Sequence, residues 1–256
     1  MSIDDALDRL VTGARGRGAL VALDFDGTLA PLRDDPEASR PLPQAAAALD
    51  RLAEVEGVHL ALVSGRSLTD LADKAGPPDG THLVGSHGAE RGRWCDGELR
   101  RSSLTLTPGV SDRLAELTER VRDAVRGTTA RVETKPASVV LHTRTAEPAD
   151  AERLTALALR LGEQPGVDAM AGKDVVELAV LRVTKGDALA ALRGELAVQA
   201  LAYVGDDVTD ERAFATLGPE DVTIKVGPGE TAARLRVADP VAVAALLNRL
   251  ADLLRP

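Results

Sequence analysis

Two aspartates separated by one residue close an apolar run. Residues 21–30 read VALDFDGTLA, which places Asp24 and Asp26 after Val21-Ala22-Leu23 and before Gly27-Thr28. Residues two apart on a strand point to the same side. A strand ending here therefore aims both carboxylates at one point. Close carboxylates repel and need a cation or a shared proton. The pair suits Mg²⁺-assisted chemistry on a phosphate, with one carboxylate attacking and the other moving a proton. The plainer alternative is a buried strand running into an acidic turn, because Asp-Gly is a common turn signal.

Other polar clusters follow apolar runs in the same way. Ser64-Gly65-Arg66 follows LALV, and Asp206-Asp207 follows LAYVG. In an open parallel sheet, ligands bind beyond the carboxyl ends of the strands, so these clusters and the first aspartates would meet on one edge. Ser64 could donate its hydroxyl to a phosphoryl oxygen, with Arg66 supporting the loop or the substrate; alternatively Ser64 simply caps a turn. Lys185, at the start of an expected helix beside Gly186, could bind a phosphoryl group and offset the aspartates. The alternative is a solvated lysine at a helix end. The loop GDDVTDE at 205–211 offers hard carboxylate oxygens of the kind Mg²⁺ prefers. Asp206 is the expected metal ligand, and Asp207 and Asp210 complete the acidic loop. Asp210 is read as a secondary ligand or a loop organiser, with Asp210 or Thr209 also able to cap the next helix.

The elements that must hold these groups alternate. Strands are expected at 19–25, 58–63 and 82–85, and helices at 43–56 and 67–75. That βαβαβ order argues for a parallel sheet covered by helices. Asp96-Gly97 marks a hairpin turn in RWCDGELR. The pattern then changes: helices near 110–126 and 148–162 separate strand pairs at 130–134 and 138–144, and at 167–171 and 174–180. After residue 184 the alternation resumes, ending in the helix of DPVAVAALLNRLADLL. The fold class is α/β, a Rossmann-like doubly wound parallel-sheet core with an inserted α+β cap. The core takes residues 1–106 and 182–256 and the cap 107–181, with hinges near 104–108 and 180–184.

Composition narrows the partners. A net charge of −9 gives no basic footprint for nucleic acid. Cys95 is the only cysteine, so neither a disulfide framework nor a cysteine-rich metal site is available. The first residues, MSIDDALDRLVTGARGRG, are charged and carry no secretory signal. No stretch approaches the roughly 20 apolar residues of a membrane helix. A cytoplasmic, membrane-free monomer is expected.

The four clusters, DFDGT at 24–28, Ser64, Lys185 and GDDVTD at 205–210, in this order, resemble the haloacid-dehalogenase-like phosphohydrolases. Within them the chain looks most like the trehalose-6-phosphate phosphatases. GSHGAE at 85–90, VETKPASVVLHTR at 132–144, GKDVVEL at 172–178 and the ending VGPGETAARLRVADPVAVAALL carry that likeness. The match departs from the family pattern at Thr143, Ala179, Val180 and Thr184, none of which is assigned to chemistry. The resemblance implies that Asp24 is the nucleophile and Asp26 the acid/base, with Ser64 and Lys185 holding phosphoryl oxygens. It implies Mg²⁺ on Asp24, the Asp26 main-chain carbonyl and Asp206. Gly65, Arg66, His87, Glu133, Lys135, Arg144, Lys173 and Glu177 would bind the sugar phosphate, trehalose 6-phosphate. His142 would organise the cap sheet or touch sugar. A trehalose-phosphate synthase would supply the substrate.

Overall fold

The computed structural model describes residues 1–102, 106–181 and 183–255. Residues 104, 105 and 182, which fall in the expected hinge segments at 104–108 and 180–184, lie outside the described residues. The chain divides into two compact units: Met1–Ser103 with Val183–Pro256, and Leu104–Arg182.

The first unit is built on an eight-stranded sheet. Its strands are β1 (Ala19–Leu23), β2 (Val58–Val63), β3 (His82–Gly85), β4 (Glu90–Cys95), β5 (Glu98–Ser102), β10 (Ala200–Gly205), β11 (Val222–Val226) and β12 (Leu235–Val237). They lie in the order β12-β11-β10-β1-β2-β3-β4-β5. The strands from β12 to β3 pair in parallel, and β4 and β5 add an antiparallel hairpin at the edge. All five residues of β1 are buried. A strand covered on both faces needs a continuous apolar run, and ALVAL supplies one. Alternation then divides its side chains. Ala19, Val21 and Leu23 join the core under helices α1 (Ile3–Arg15), α2 (Pro43–Ala53), α3 (Leu68–Ala75) and α8 (Pro240–Leu254). Leu20 and Ala22 pack with α6 (Lys185–Leu196) and α7 (Val208–Thr216) on the other face. Helices on both faces make the sheet doubly wound. Successive strands run outward from β1 through β2 and β3 on one side and through β10 and β11 on the other. β1 therefore stands where the strand order reverses, the place where such sheets bind ligands.

Helix α1 comes from the segment read from sequence only as charged. Ser2 caps it in a reciprocal box with Asp5, and Ala6, Leu7, Leu10 and Ala14 bury one stripe. Among the described residues no helix is long and apolar enough to cross a membrane.

The second unit is a four-stranded antiparallel sheet in the order β6-β7-β9-β8, formed by β6 (Arg131–Lys135), β7 (Ser138–His142), β8 (Asp168–Gly172) and β9 (Val175–Ala179). Val139, Leu141, Val176 and Leu178 face α4 (Pro108–Val125) and α5 (Pro148–Gly162), which cover one side of it. The period of two leaves Glu133, Lys135, His142 and Glu177 on the opposite face.

Candidate active site

Three local devices place the charged groups at the end of β1. The first is the turn after Leu23. Gly27 adopts φ +76°, and a side chain there would run into the Asp206 carboxylate. A glycine is therefore required both by the backbone and by the approach of the acidic loop. Thr28, fully buried, donates its hydroxyl to Asp206 Oδ1 at 3.3 Å.

The second device is a helix start. Thr184 caps α6 in a reciprocal box with Asp187, which puts Lys185 at the first helical position. Its Nζ lies 2.7 Å from Asp210, 3.2 Å from Asp24 and 3.9 Å from Asp207. Lys185 is 2% exposed and Asp24 4%, so this is a buried pair and not a solvated lysine.

The third device is the acidic loop. Asp207 caps α7 and accepts from the Asp210 amide, while Asp210 accepts from the amides of both Asp206 and Asp207. Asp210 also accepts from Lys185 and from the Tyr203 hydroxyl. With four donors on a carboxylate that is 0% exposed, Asp210 organises the loop. Asp207 is the helix cap, a part the sequence left between Asp210 and Thr209.

Electrostatics separates these carboxylates. Burial pushes the Asp24 carboxyl well above the ordinary range, and Lys185 works against that. Burial alone would lower the Lys185 ammonium, but Asp24, Asp210 and Asp207 together raise it. Asp206 is pushed up to about 6, by burial first and then by Asp210 and Asp207.

Oxygens of Asp24, Asp207 and Asp210 lie within 4.8 Å of one another. That trio excludes Asp206, the ligand expected from sequence. The Lys185 ammonium already contacts all three members of that trio. Asp206 lies instead against Gly27 and Thr28, and its nearest lysine, Lys225, binds its main-chain carbonyl. Burial and the neighbouring Asp210 and Asp207 hold the Asp206 carboxyl up even though Lys225 and Lys185 act against them. The hard Asp206 oxygen beside Asp24's turn fits a divalent cation such as Mg²⁺.

On the other side of β1, Ser64 is 2% exposed and its Oγ accepts from the Arg66 amide at 3.2 Å. Arg66 grips Asp26 with two bonds, 2.6 and 2.8 Å long, and reaches Asp70 at 2.6 Å. Its guanidinium also lies 5.5 Å from the centre of the Phe25 ring. The sequence left Arg66 to support the loop or the substrate; in the structure its guanidinium holds Asp26 and Asp70, a pairing not expected from sequence. Gly65 packs against the ring of His87, which a Cβ would meet at 2.5 Å.

In the second unit, Lys135 pairs with Glu177 at 3.3 Å, and Ser138 donates to the same carboxylate. Glu133 meets His142 Nε2 at 3.0 Å. Arg144 and Lys173 are exposed in the turns that follow β7 and β8. The register His142↔Val175↔Gly172 puts both turns at one end of this sheet.

With this geometry in view, the trehalose-phosphatase family model matches residues 22–240. The chain belongs to that family. It is 34% identical over 245 residues to the trehalose-phosphate phosphatase of Mycobacterium ulcerans, covering 91% of this chain and 61% of that protein. It is 37% identical over 217 residues to a probable trehalose-phosphate phosphatase of Sinorhizobium fredii, covering 80% of this chain and 77% of that one. A crystal structure described as a trehalose-6-phosphate phosphatase related protein superposes with TM-score 0.66 at 28% identity, covering 91% of this chain and 97% of its own. The chain thus spans about three-fifths of the mycobacterial relative's length.

For a member of the trehalose-phosphatase family, sequence reasoning passed over two buried polar side chains. Tyr203 sits in the apolar run of β10, where strand alternation turns it toward Asp210. Lys225 is 6% exposed in VTIKV. A lysine inside a wholly buried strand was the available signal, because buried charges are seldom left without a partner.

Proposed function

We propose that this chain is a Mg²⁺-dependent phosphatase that hydrolyses trehalose 6-phosphate to trehalose and phosphate, the last step of trehalose synthesis. The observation that carries the reading is the buried Asp24–Lys185 pair at the strand switch point, inside a chain matched to the family over residues 22–240.

Asp24 attacks phosphorus. The bond from phosphorus to the sugar oxygen breaks, and Asp26 gives that oxygen a proton. Water then attacks the phosphoryl group on Asp24, Asp26 takes the water's proton, and free phosphate leaves with Asp24 restored. A sugar alkoxide leaves poorly at neutral pH, so the proton matters; such help typically contributes about 10²–10⁴-fold. The Arg66 pair suits Asp26 as the ionised base of the second step. The first step needs the same carboxyl protonated, so substrate arrival has to loosen that pair. Lys185 and Ser64 hold phosphoryl oxygens as charge redistributes. Asp24, the Asp26 main-chain carbonyl and Asp206 would hold Mg²⁺, which when bound neutralises phosphate charge as a Lewis acid.

The polar sheet face of the second unit supplies the sugar contacts. Trehalose offers hydroxyls and no charge, so it is recognised by polar groups fixed in position. Glu133, Lys135 and Glu177 are of that kind, with Arg144 and Lys173 at the end of the sheet and Gly65 and His87 in the first unit. The reading carries with it a synthase that supplies the substrate, a cytoplasmic setting and a monomeric state.

Glu133→Ala and Lys135→Ala should each lower kcat/KM for trehalose 6-phosphate by about 10–100-fold, the worth of a hydrogen bond to a charged group. Hydrolysis of a small aryl phosphate should stay near the wild-type rate. Steady-state kinetics on both substrates tests this. Equal losses on the two would mean these residues only hold the sheet together.

A further inference from the structure

GSHGAE at 85–90 ends in a glutamate that the chemistry above does not use. Glu90 is only 7% exposed. Its Oε2 accepts from the Leu68 amide at 3.0 Å and from the Ser86 hydroxyl at 2.7 Å, and its Oε1 accepts from Arg101 Nη1 at 3.1 Å. Leu68 opens α3, whose first amides have no partner within the helix. A carboxylate there is also favoured by the helix dipole.

The two donors on Oε2 belong to different turns. Leu68 follows Ser64-Gly65-Arg66, while Ser86 opens the turn that carries His87. These turns are laced together: the Ser86 amide donates to Arg66 O at 2.7 Å and the His87 amide to Ser64 O at 3.0 Å. Ser86 and His87 hold φ of 48° and 55°. Side chains seldom adopt that left-handed region, and such strain persists only where the surroundings over-determine it. The Ser86 hydroxyl on Glu90 is one side-chain bond that does so.

We propose that Glu90 is a positioning residue for the phosphate-binding edge. Its buried carboxylate ties the 64–66 turn to the strained 86–87 turn and so fixes where Arg66 and His87 stand. The proposal rests on the phosphatase reading for its kinetic consequence, but not for its structural one.

The test pairs hydrogen–deuterium exchange with steady-state kinetics on the full chain. In Glu90→Ala the amides of Ser86 and His87 should exchange at least about 10-fold faster, while those of β1 and β10 keep their protection. kcat/KM for trehalose 6-phosphate should fall about 100-fold, the scale of a 1 Å misplacement. Glu90→Gln keeps an oxygen at the Oε2 position and should restore both readouts to within about 5-fold of wild type. If Glu90→Ala does not fold, Ser86→Ala removes the hydroxyl link alone and should show the same local exchange. Unchanged exchange at Ser86 and His87, a rise spread over the whole sheet, or equal losses in the Ala and Gln variants would overturn the proposal. A wild-type chain with no turnover on any phosphate ester would instead overturn the phosphatase reading, and the exchange result would still decide the role of Glu90.

Discussion

Asp24→Asn should lower phosphate release from trehalose 6-phosphate by at least about 10⁴-fold, the scale seen when a catalytic nucleophile is lost. It should do so without unfolding the chain. The amide is nearly the same size as the carboxyl and carries no charge, so it fits a position where burial already disfavours the charged form. Lys185 keeps Asp210 at 2.7 Å and Asp207 at 3.9 Å as partners. Activity and thermal unfolding measured on one preparation check both halves. Turnover within about 10-fold of wild type, with the melting temperature unmoved, would remove Asp24 from the nucleophile's role.

Lys185→Met should damage fold and activity together. The ammonium touches Asp24, Asp207 and Asp210, and removing one member of a buried charge cluster typically costs about 3–5 kcal/mol. For a chain of 256 residues that corresponds to a melting temperature lower by about 6–20 °C. Turnover should fall by at least about 10³-fold, because the phosphoryl group also loses its fixed cation. Acidity gives the prediction a sign. Asp24 is already raised in the fold, and removing Lys185 raises it further. A raised carboxyl holds its proton more tightly folded than unfolded, so its share of stability is present below the ordinary value of 3.8 and lost as pH climbs through the folded value. The variant's deficit should therefore be larger at pH 8 than at pH 5. Thermal melts across that range measure it. A deficit that shrinks as pH rises would contradict the view that Lys185 is the counter-charge of these aspartates.

The strand ends were legible in the sequence because apolar runs are short and polar residues follow them at once. ALVAL before Asp24, LALV before Ser64 and LAYVG before Asp206 each mark a buried strand leaving the sheet, and parallel pairing brings those ends to one edge. Pairing between the groups was less legible. Nothing in the spacing of Arg66 says that it grips Asp26, 40 residues earlier. Nor does GDDVTD say which aspartate caps the helix and which gathers four donors, since both parts use the same side chain. Helix α1 was missed for a different reason. Its charged residues are conspicuous, while its apolar stripe of Ala6, Leu7, Leu10 and Ala14 emerges only when positions are counted at helical spacing. Strand β12, three residues long, is too short to show a pattern and owes its conformation to β11 beside it.

The most direct test of the account is phosphate release by the purified chain, with Mg²⁺ and with chelator, from a panel of esters. The panel holds trehalose 6-phosphate, sucrose 6-phosphate, a mannosyl phosphoglycerate and a small aryl phosphate, with the sugar products identified. The account predicts Mg²⁺-dependent release that is fastest from trehalose 6-phosphate and yields trehalose and phosphate in equal amounts. Weak release from trehalose 6-phosphate beside strong release from another sugar phosphate, or an isomerised sugar phosphate in place of free phosphate, would contradict it.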